Sequence, residues 1–583
     1  MISGEPERML RRLLEFVNDE QQAGQRRLLE IWDRRLDNKL ATGWTQRFTR
    51  IERGDDAGTL RAWLDEGDNE SRFREGDMLV LHTGRPVEDM LARGLVLESE
   101  EDECWLLRGP GRKLVQVLHE CESRPCYADA DAIDLSGHQR QAIEEIAASR
   151  IGREIVLPLL SGEMQLTFRP QDVERAEGMA RDRGFNAKQA EAVGLAYGAD
   201  RLACIQGPPG TGKSAVLALI ARLLVERGER VLVTSHTHMA INNVLNKIGA
   251  EGVTAVKIGR HAQCKGLDDR IARHESLSDW DDRPSGGYVI GATPYATCTS
   301  RLEGCEFDTV LFDEASQITA PLALMAMRKG KRYVFVGDHR QLPPVMLSRS
   351  VLDKDSMSAF AALTARGQDH VVMLEETYRM NRSLAMWPSR MYYDGRLHAA
   401  QANSGRRLRL HEVPDQLSVA LDPEMPAVFV PTVDRTARTR NVRDAALVAK
   451  SCAAAVAGGI APPDIGIVTP YRAQGRAVRQ QLRTMLGPAR AEQIVADTVE
   501  RMQGQEREMV VLSLATGDEV FLAAVAEFFF QPQRLNVSIT RARSKLIVIG
   551  PDPSRLPEHE EEAVRRWIAE YADLAASMKR VDL

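Results

Sequence analysis

The run GPPGTGKS constrains this chain more than any other stretch. An apolar segment, Leu202 to Gln206, precedes it and a helical pattern, Ser214 to Arg227, follows, so the turn joins a strand to a helix. Gly207, Pro208, Pro209, Gly210, Thr211, Gly212, Lys213 and Ser214 then read as a phosphate-binding turn. Its glycines let the backbone curl until successive N–H groups and a helix N-terminus face the phosphates. Lys213 is placed to reach the outer phosphates and the Ser214 hydroxyl to ligate Mg²⁺.

Further motifs have to decide the chemistry, because the same turn serves kinases, GTPases, transporters and motors. Val310 to Glu314 is an apolar run ending in paired carboxylates, with Asp313 suited to Mg²⁺ and Glu314 to polarising an attacking water. GDHRQLPP, residues 337 to 344, again ends a strand; Gln341 is expected to sense the γ-phosphate, while Asp338 and Arg340 couple it to its surroundings. ETYRMN sets the flat ring of Tyr378 beside the fixed charge of Arg379, a pair that suits a base and a phosphate. LNVSITRAR offers Arg541 as a second cation for charge developing on a transferred phosphoryl group.

The segments around these motifs repeat a strand-then-helix grammar, which predicts an α/β architecture. Leu202 to Gln206, Val231 to Thr234, Val289 to Gly291, Val310 to Asp313 and Tyr333 to Val336 form a first parallel unit. The grammar restarts with Val371 to Leu374, Val428 to Val430, Ile465 to Val468, Val510 to Leu514 and Leu546 to Ile549. Ahead of both, residues 6 to about 40 have helical spacing broken by the polar stretch Asn18 to Gln25, which predicts a hairpin or stalk. Between Arg74 and Tyr127, short apolar runs (Met78 to Leu81, Leu95 to Leu97, Leu114 to Leu118) predict a small β-barrel, and His138 to Arg150 returns to helix. The expected divisions are a stalk over 1–72, a barrel over 73–135, a returning helix and linker over 136–183, and two α/β domains over 184–345 and 346–583.

A chain of 583 residues exceeds what one core can hold, and 43% hydrophobic with 27% charged residues is the balance of a globular protein. The net charge of -6 means that contact with nucleic acid would come from local basic patches and backbone amides. The eight cysteines are scattered, and Cys121 and Cys126 lack a second pair at zinc-ligand spacing, so reduced thiols are expected. No run is long and apolar enough to cross a membrane and the N-terminus lacks a signal-peptide pattern, so a cytoplasmic location is expected.

Taken together, nine segments in order resemble superfamily 1 helicases: GFNAKQAEAV at 184 to 193, GPPGTGKS, LVTSHTHMAINNVL at 232 to 245, GAT at 291 to 293, DEAS, GDHRQLPP, ETYRMN, TVERMQGQE at 498 to 506, and LNVSITRAR. DEAS and GDHRQLPP, with a stalk and barrel ahead, look like the Upf1-like branch. The resemblance implies two tandem RecA-like P-loop domains with ATP and Mg²⁺ between them. It implies that Gln189 recognises adenine, that Tyr378 stacks on the base, that Glu506 contacts the nucleotide sugar, and that Arg379 and Arg541 act as arginine fingers. Thr234, His236, Thr293 and Thr498 match positions expected on the phosphate backbone of a single strand, DNA and/or RNA, traversed 5′ to 3′. Glu500 departs from the Asp found in many relatives ahead of QG. A monomer is expected, with no membrane partner and with the N-terminal barrel open to a protein partner. An ATPase switch or scaffold without processive unwinding is the alternative that the cleft chemistry leaves open.

Overall fold

The computed structural model describes residues 4–583 except 57, 65–70, 72, 74, 101–102, 110, 123, 133, 349–356, 366, 368 and 413–416. The chain divides into two compact units, Met1–Ala147 with Met346–Arg349, and Ala148–Val345 with Ser350–Leu583. No described helix is long and apolar enough to cross a membrane.

The first unit opens with one unbroken helix, Glu5–Trp32, where a hairpin or a stalk was expected. Asn18 to Gln25 is polar but holds good helix formers and no proline, so the hydrogen-bond ladder runs through it. Leu10, Leu13, Phe16 and Val17 recur at helical spacing and are buried. Seven antiparallel strands follow, in the spatial order Thr45–Phe48, Cys126–Ala130, Met78–His82, Met90–Glu100, Cys104–Arg108, Thr59–Trp63 and Arg50–Arg53. Three of these precede the barrel border expected at 72, which itself falls among residues outside the described ones. Their alternation of buried Phe48, Ile51, Leu60 and Ala62 with Arg47, Arg50 and Arg61 carries too little apolar signal to stand out from a stalk. Leu114 to Leu118, expected as a strand, lies in the helix Gly111–Cys121, where Leu114 and Val117 turn one face inward. Cys121 and Cys126 form a disulfide, which corrects the expectation of reduced thiols for this pair; they lie only five residues apart, across the turn from that helix to the next strand.

Asp129 anchors the unit's interior. Lys39 Nζ donates to its Oδ2 at 2.6 Å, Thr45 Oγ1 donates to Oδ1, and His82 Nε2 lies 3.2 Å from Oδ1. The Gly84 N–H donates to His82 Nδ1 at 3.2 Å, which leaves the ring hydrogen for the Asp129 side.

Among the described residues, the second unit contains two large parallel sheets and a two-stranded one, Glu376–Thr377 with His398–Ala399. The first runs Ala272–His274, Ala255–Ile258, Tyr288–Gly291, Arg230–Thr234, Thr309–Phe312, Arg332–Gly337, Leu202–Gln206 and Val371–Met373. The second runs Val495–Thr498, Ile465–Thr469, Arg507–Ser513, Ala542–Gly550, Ala427–Pro431 and Lys579–Arg580. This is a tandem RecA-like α/β fold with an N-terminal domain. One strand changes sides relative to expectation: Val371–Met373 pairs with Leu202–Gln206, Val371 opposite Cys204 and Met373 opposite Gln206. It therefore closes the edge of the first sheet instead of opening the second, and the sheets part after Met373 rather than at 345. A short apolar run states that it is a strand, while its neighbour is decided by nonlocal pairing. The inner strands of each sheet are near-continuous in buried apolar residues, as expected for sheets covered on both faces, while the edge strands Ala272–His274 and Lys579–Arg580 are mostly polar and exposed.

Candidate nucleotide site and nucleic-acid interface

The turn from Gly207 to Gly212 leaves the strand Leu202–Gln206 and enters the helix Lys213–Glu226. Gly210 and Gly212 hold φ of 74° and 82°, the left-handed region that L side chains avoid. Space demands glycine as well: a Cβ on Gly207 would meet Lys213 Cγ at 2.1 Å, and one on Gly210 would meet Arg379 Cβ at 2.4 Å. Thr211 Oγ1 donates to the Pro208 carbonyl at 2.8 Å and Lys213 Nζ donates to the Gly207 carbonyl at 2.6 Å, which fixes the turn and lays the ammonium across it.

Gln189 sits behind this turn. Asn186 and Gln189 form a reciprocal capping box at the start of the helix Ala187–Gly198, and Gln189 Nε2 donates to the Thr211 carbonyl at 3.0 Å. Its carboxamide thus already braces the turn; each end retains one further hydrogen-bonding position, so adenine would be read by a group whose orientation is set in advance. Asn186 Nδ2 donates to the Tyr378 hydroxyl at 2.9 Å, leaving the Tyr378 ring 43% exposed beside the turn.

Asp313 and Glu314 end the strand Thr309–Phe312. The Asp313 N–H donates to the Thr234 carbonyl at 2.9 Å, and the side chain is buried. Burial, reinforced by the charge of Glu314 and opposed by Lys213, pushes the Asp313 carboxyl above the usual carboxylate range. Glu314 adopts φ 49°, a left-handed conformation for a residue with a side chain. Strain of this kind persists where surrounding structure over-determines it. Gln503 Nε2 donates to Glu314 Oε2 at 3.3 Å; burial lowers the proton affinity of His236, Arg379 and Arg541, and the Glu314 charge opposes that shift in part.

Both arginines are bonded into the second lobe and lie within electrostatic reach of this carboxylate. Arg379 Nε donates to Glu506 Oε2 at 2.7 Å and its Nη1 to the Thr540 carbonyl at 2.9 Å. Arg541 is 1% exposed, with Nε on the Val537 carbonyl at 2.8 Å; burial first, then the neighbouring Arg379 charge, lowers its guanidinium to about 9. It stays charged at neutral pH. Burial alone would raise the Glu506 carboxyl, but Arg379 and Arg543 outweigh it and hold the group down at about 2. The sugar contact expected of Glu506 is therefore joined by a second duty: its carboxylate clamps two guanidiniums.

Gln341 Nε2 donates to Asp338 Oδ2 at 2.7 Å, and the Tyr393 hydroxyl donates to the same oxygen at 2.7 Å. Asn536 Nδ2 reaches both the Tyr393 hydroxyl and the Arg340 carbonyl at 2.8 Å. The GDHRQLPP loop is thereby wired through a buried chain to the helix Pro532–Ile539 that leads to Arg541.

Two family models described as AAA domain match residues 184–415 and 356–552. The DNA replication ATP-dependent helicase/nuclease DNA2 of Bos taurus is 28% identical over 408 residues, covering 64% of this chain and 38% of that protein. The protein of the same name from Saccharomyces cerevisiae is 27% identical over 457 residues, covering 73% of this chain and 29% of that one. Over the stretch that carries its superfamily 1 segments, the chain is similar to these ATP-dependent helicases. It spans less than two fifths of the length of these relatives. Among solved structures, the Arterivirus nonstructural protein 10 helicase matches 89% of this chain and 80% of its own at 14% identity and a TM-score of 0.40.

The positions that the superfamily 1 resemblance marks for strand contact lie at or just beyond the C-terminal ends of parallel strands. Thr234 ends Arg230–Thr234, Thr293 follows Tyr288–Gly291, and Thr498 ends Val495–Thr498. Thr234 Oγ1, Ser235 Oγ and His236 Nδ1 are buried and make no hydrogen bond among the described residues. Thr293 starts the turn Pro294–Cys298 without a side-chain cap. Thr498 is buried, and its N–H donates to Asp497 Oδ1 at 2.7 Å. Sequence reasoning missed Tyr393, Asn536 and Arg543 as site members. Asn536 and Arg543 stand inside LNVSITRAR, where their polarity amid apolar neighbours was the available signal; Tyr393 lies in no motif.

Proposed function

We propose that this chain is the motor part of an ATP-dependent helicase that translocates 5′ to 3′ on single-stranded DNA and/or RNA. The observation that carries the reading is the composite pocket: the apex of the phosphate turn lies against Arg379, which is bonded to Glu506 and the Thr540 carbonyl of the second lobe, while Glu314 accepts from Gln503 of that lobe. Lys213 and the backbone of the turn bind the phosphates, and Tyr378 and Gln189 orient the base. Glu314 positions and polarises the attacking water, and the two guanidiniums stabilise charge developing on the transferred group. Gln341 reports on the outer phosphate through Asp338, Tyr393 and Asn536 to the second lobe. Ser214 and the buried Asp313 carboxylate are hard oxygen donors at the mouth of the turn and fit Mg²⁺, which neutralises phosphate charge when bound.

Hydroxyls at the strand ends of both sheets favour a ligand held by its backbone, hence weak sequence preference and salt-sensitive binding. The test is ATP hydrolysis with matched single-stranded DNA and RNA, followed by unwinding of duplexes with a 5′ or a 3′ overhang. Strand-stimulated hydrolysis and unwinding of the 5′-tailed duplex are expected. Hydrolysis indifferent to strands but raised by a protein partner would replace the motor with a switch.

A further inference from the structure

Resting on the motor reading, we infer that Phe528 is a base-stacking platform on the second lobe, taking one unpaired nucleobase of the bound strand. The strands Ile465–Thr469 and Val495–Thr498 are neighbours, with Thr469 opposite Thr498. Two residues beyond each of these ends stand Tyr471 and Glu500, so both rise from one corner of the sheet. Glu500 pairs with Arg534, and the Arg534 guanidinium carbon lies 4.0 Å from the centre of the Phe528 ring. The Arg534 side chain is only 12% exposed, so it backs the ring as a fixed plate, while Phe528 itself is 36% exposed.

Tyr471 stands beside that ring at 6.0 Å, tilted by 33°, and links it to Phe521 at 6.4 Å. The Arg438 guanidinium lies 5.9 Å from the Phe521 ring, with a side chain 64% exposed and Asp518 as ion-pair partner at 2.8 Å. A ring open to solvent, held rigid from behind and flanked by an exposed cation, has the makeup of a single-strand groove: a π-face for a base and a charge for a phosphate. Core packing alone leaves the exposed ring unexplained, because an aromatic side chain gains by burying its surface. The arrangement also accounts for Glu500. Its extra methylene, relative to Asp, extends the carboxylate toward Arg534 and ties the Thr498 turn to the platform.

The experiment measures binding of the full chain to a short oligothymidylate and to an abasic strand of the same length. Phe528→Leu is expected to weaken oligothymidylate binding on the order of tenfold and leave the abasic strand unchanged, while Phe528→Trp retains both. Arg438→Gln should weaken both strands alike and lower the salt dependence by about one phosphate contact. Thermal melting of Phe528→Leu distinguishes lost stacking from lost folding. Equal affinity of wild type and Phe528→Leu for oligothymidylate, or an equal loss on both strands, overturns the platform alone. Failure of the wild type to bind either strand overturns the motor reading with it.

Discussion

Tyr378 and Arg379 are consecutive in the chain yet tied to opposite lobes. The Tyr378 N–H donates to the Gly210 carbonyl at 2.8 Å and its hydroxyl accepts from Asn186, both on the first lobe. Arg379 binds Glu506 and the Thr540 carbonyl on the second. One peptide unit beside the phosphate turn thus joins contacts made on both lobes.

Gly210 tests that joint directly. Gly210→Ala introduces a Cβ where Arg379 Cβ would be 2.4 Å away, at a φ of 74°. ATP turnover should fall by at least about tenfold, beyond the ~1 kcal/mol that alanine costs in a left-handed conformation. Gly228→Ala, also at positive φ but with open space around it, is the matched control and should leave turnover close to wild type. Turnover and melting temperature of the two variants decide the point.

Lys213→Ala should abolish ATP turnover. Glu314→Gln should keep nucleotide affinity and lose hydrolysis, because the carboxamide cannot polarise water while the phosphate cradle is intact. Equilibrium binding of a labelled ATP analogue, measured beside phosphate release, separates the two.

Arg541→Ala should reduce turnover by roughly 10³ or more, the scale of an arginine finger. Arg541 also holds the Val537 and Gln505 carbonyls, so the melting temperature should drop as well, and Arg541→Lys should restore part of the stability with little of the rate. A near-native rate in either variant removes Arg541 from the site.

Asp129→Ala should destabilise the N-terminal unit by about 3–5 kcal/mol, because it strands a buried Lys39 ammonium. Burial alone would raise the Asp129 carboxyl, but His82, Lys39 and Thr45 more than offset it and hold the group below its ordinary value. A carboxyl lowered on folding contributes stability above its unfolded value of about 3.9, and the contribution is lost as the pH falls through the folded value. Acid titration of the wild type should therefore show the unit weakening below about pH 4, and Asp129→Asn should flatten that dependence. Denaturant unfolding across acidic pH measures both.

The phosphate site was legible because its parts are contiguous: a turn that curls around phosphate must be built from neighbouring residues, and Gly207 to Ser214 are neighbours. The wiring behind it was not. Asp338, Tyr393 and Asn536 meet from three separate segments, and nothing local in the sequence marks Tyr393 as the bridge. The same divide runs through the fold. Val371–Met373 announces a strand by its apolar run, but its place beside Leu202–Gln206 is a pairing made 167 positions away in the chain, Cys204 to Val371 being the register. Leu114 to Leu118 fits both the strand and the helix period over so short a window, and packing decided for the helix.

The most direct measurement of the composite pocket is the single-turnover rate of ATP hydrolysis by Arg379→Ala, with nucleotide affinity determined in the same preparation. A rate lowered by about 10³ at retained affinity is expected, since Arg379 reaches the cradle from the far lobe to stabilise the transition state and not the bound nucleotide. Hydrolysis at the wild-type rate would contradict a pocket completed across the two lobes.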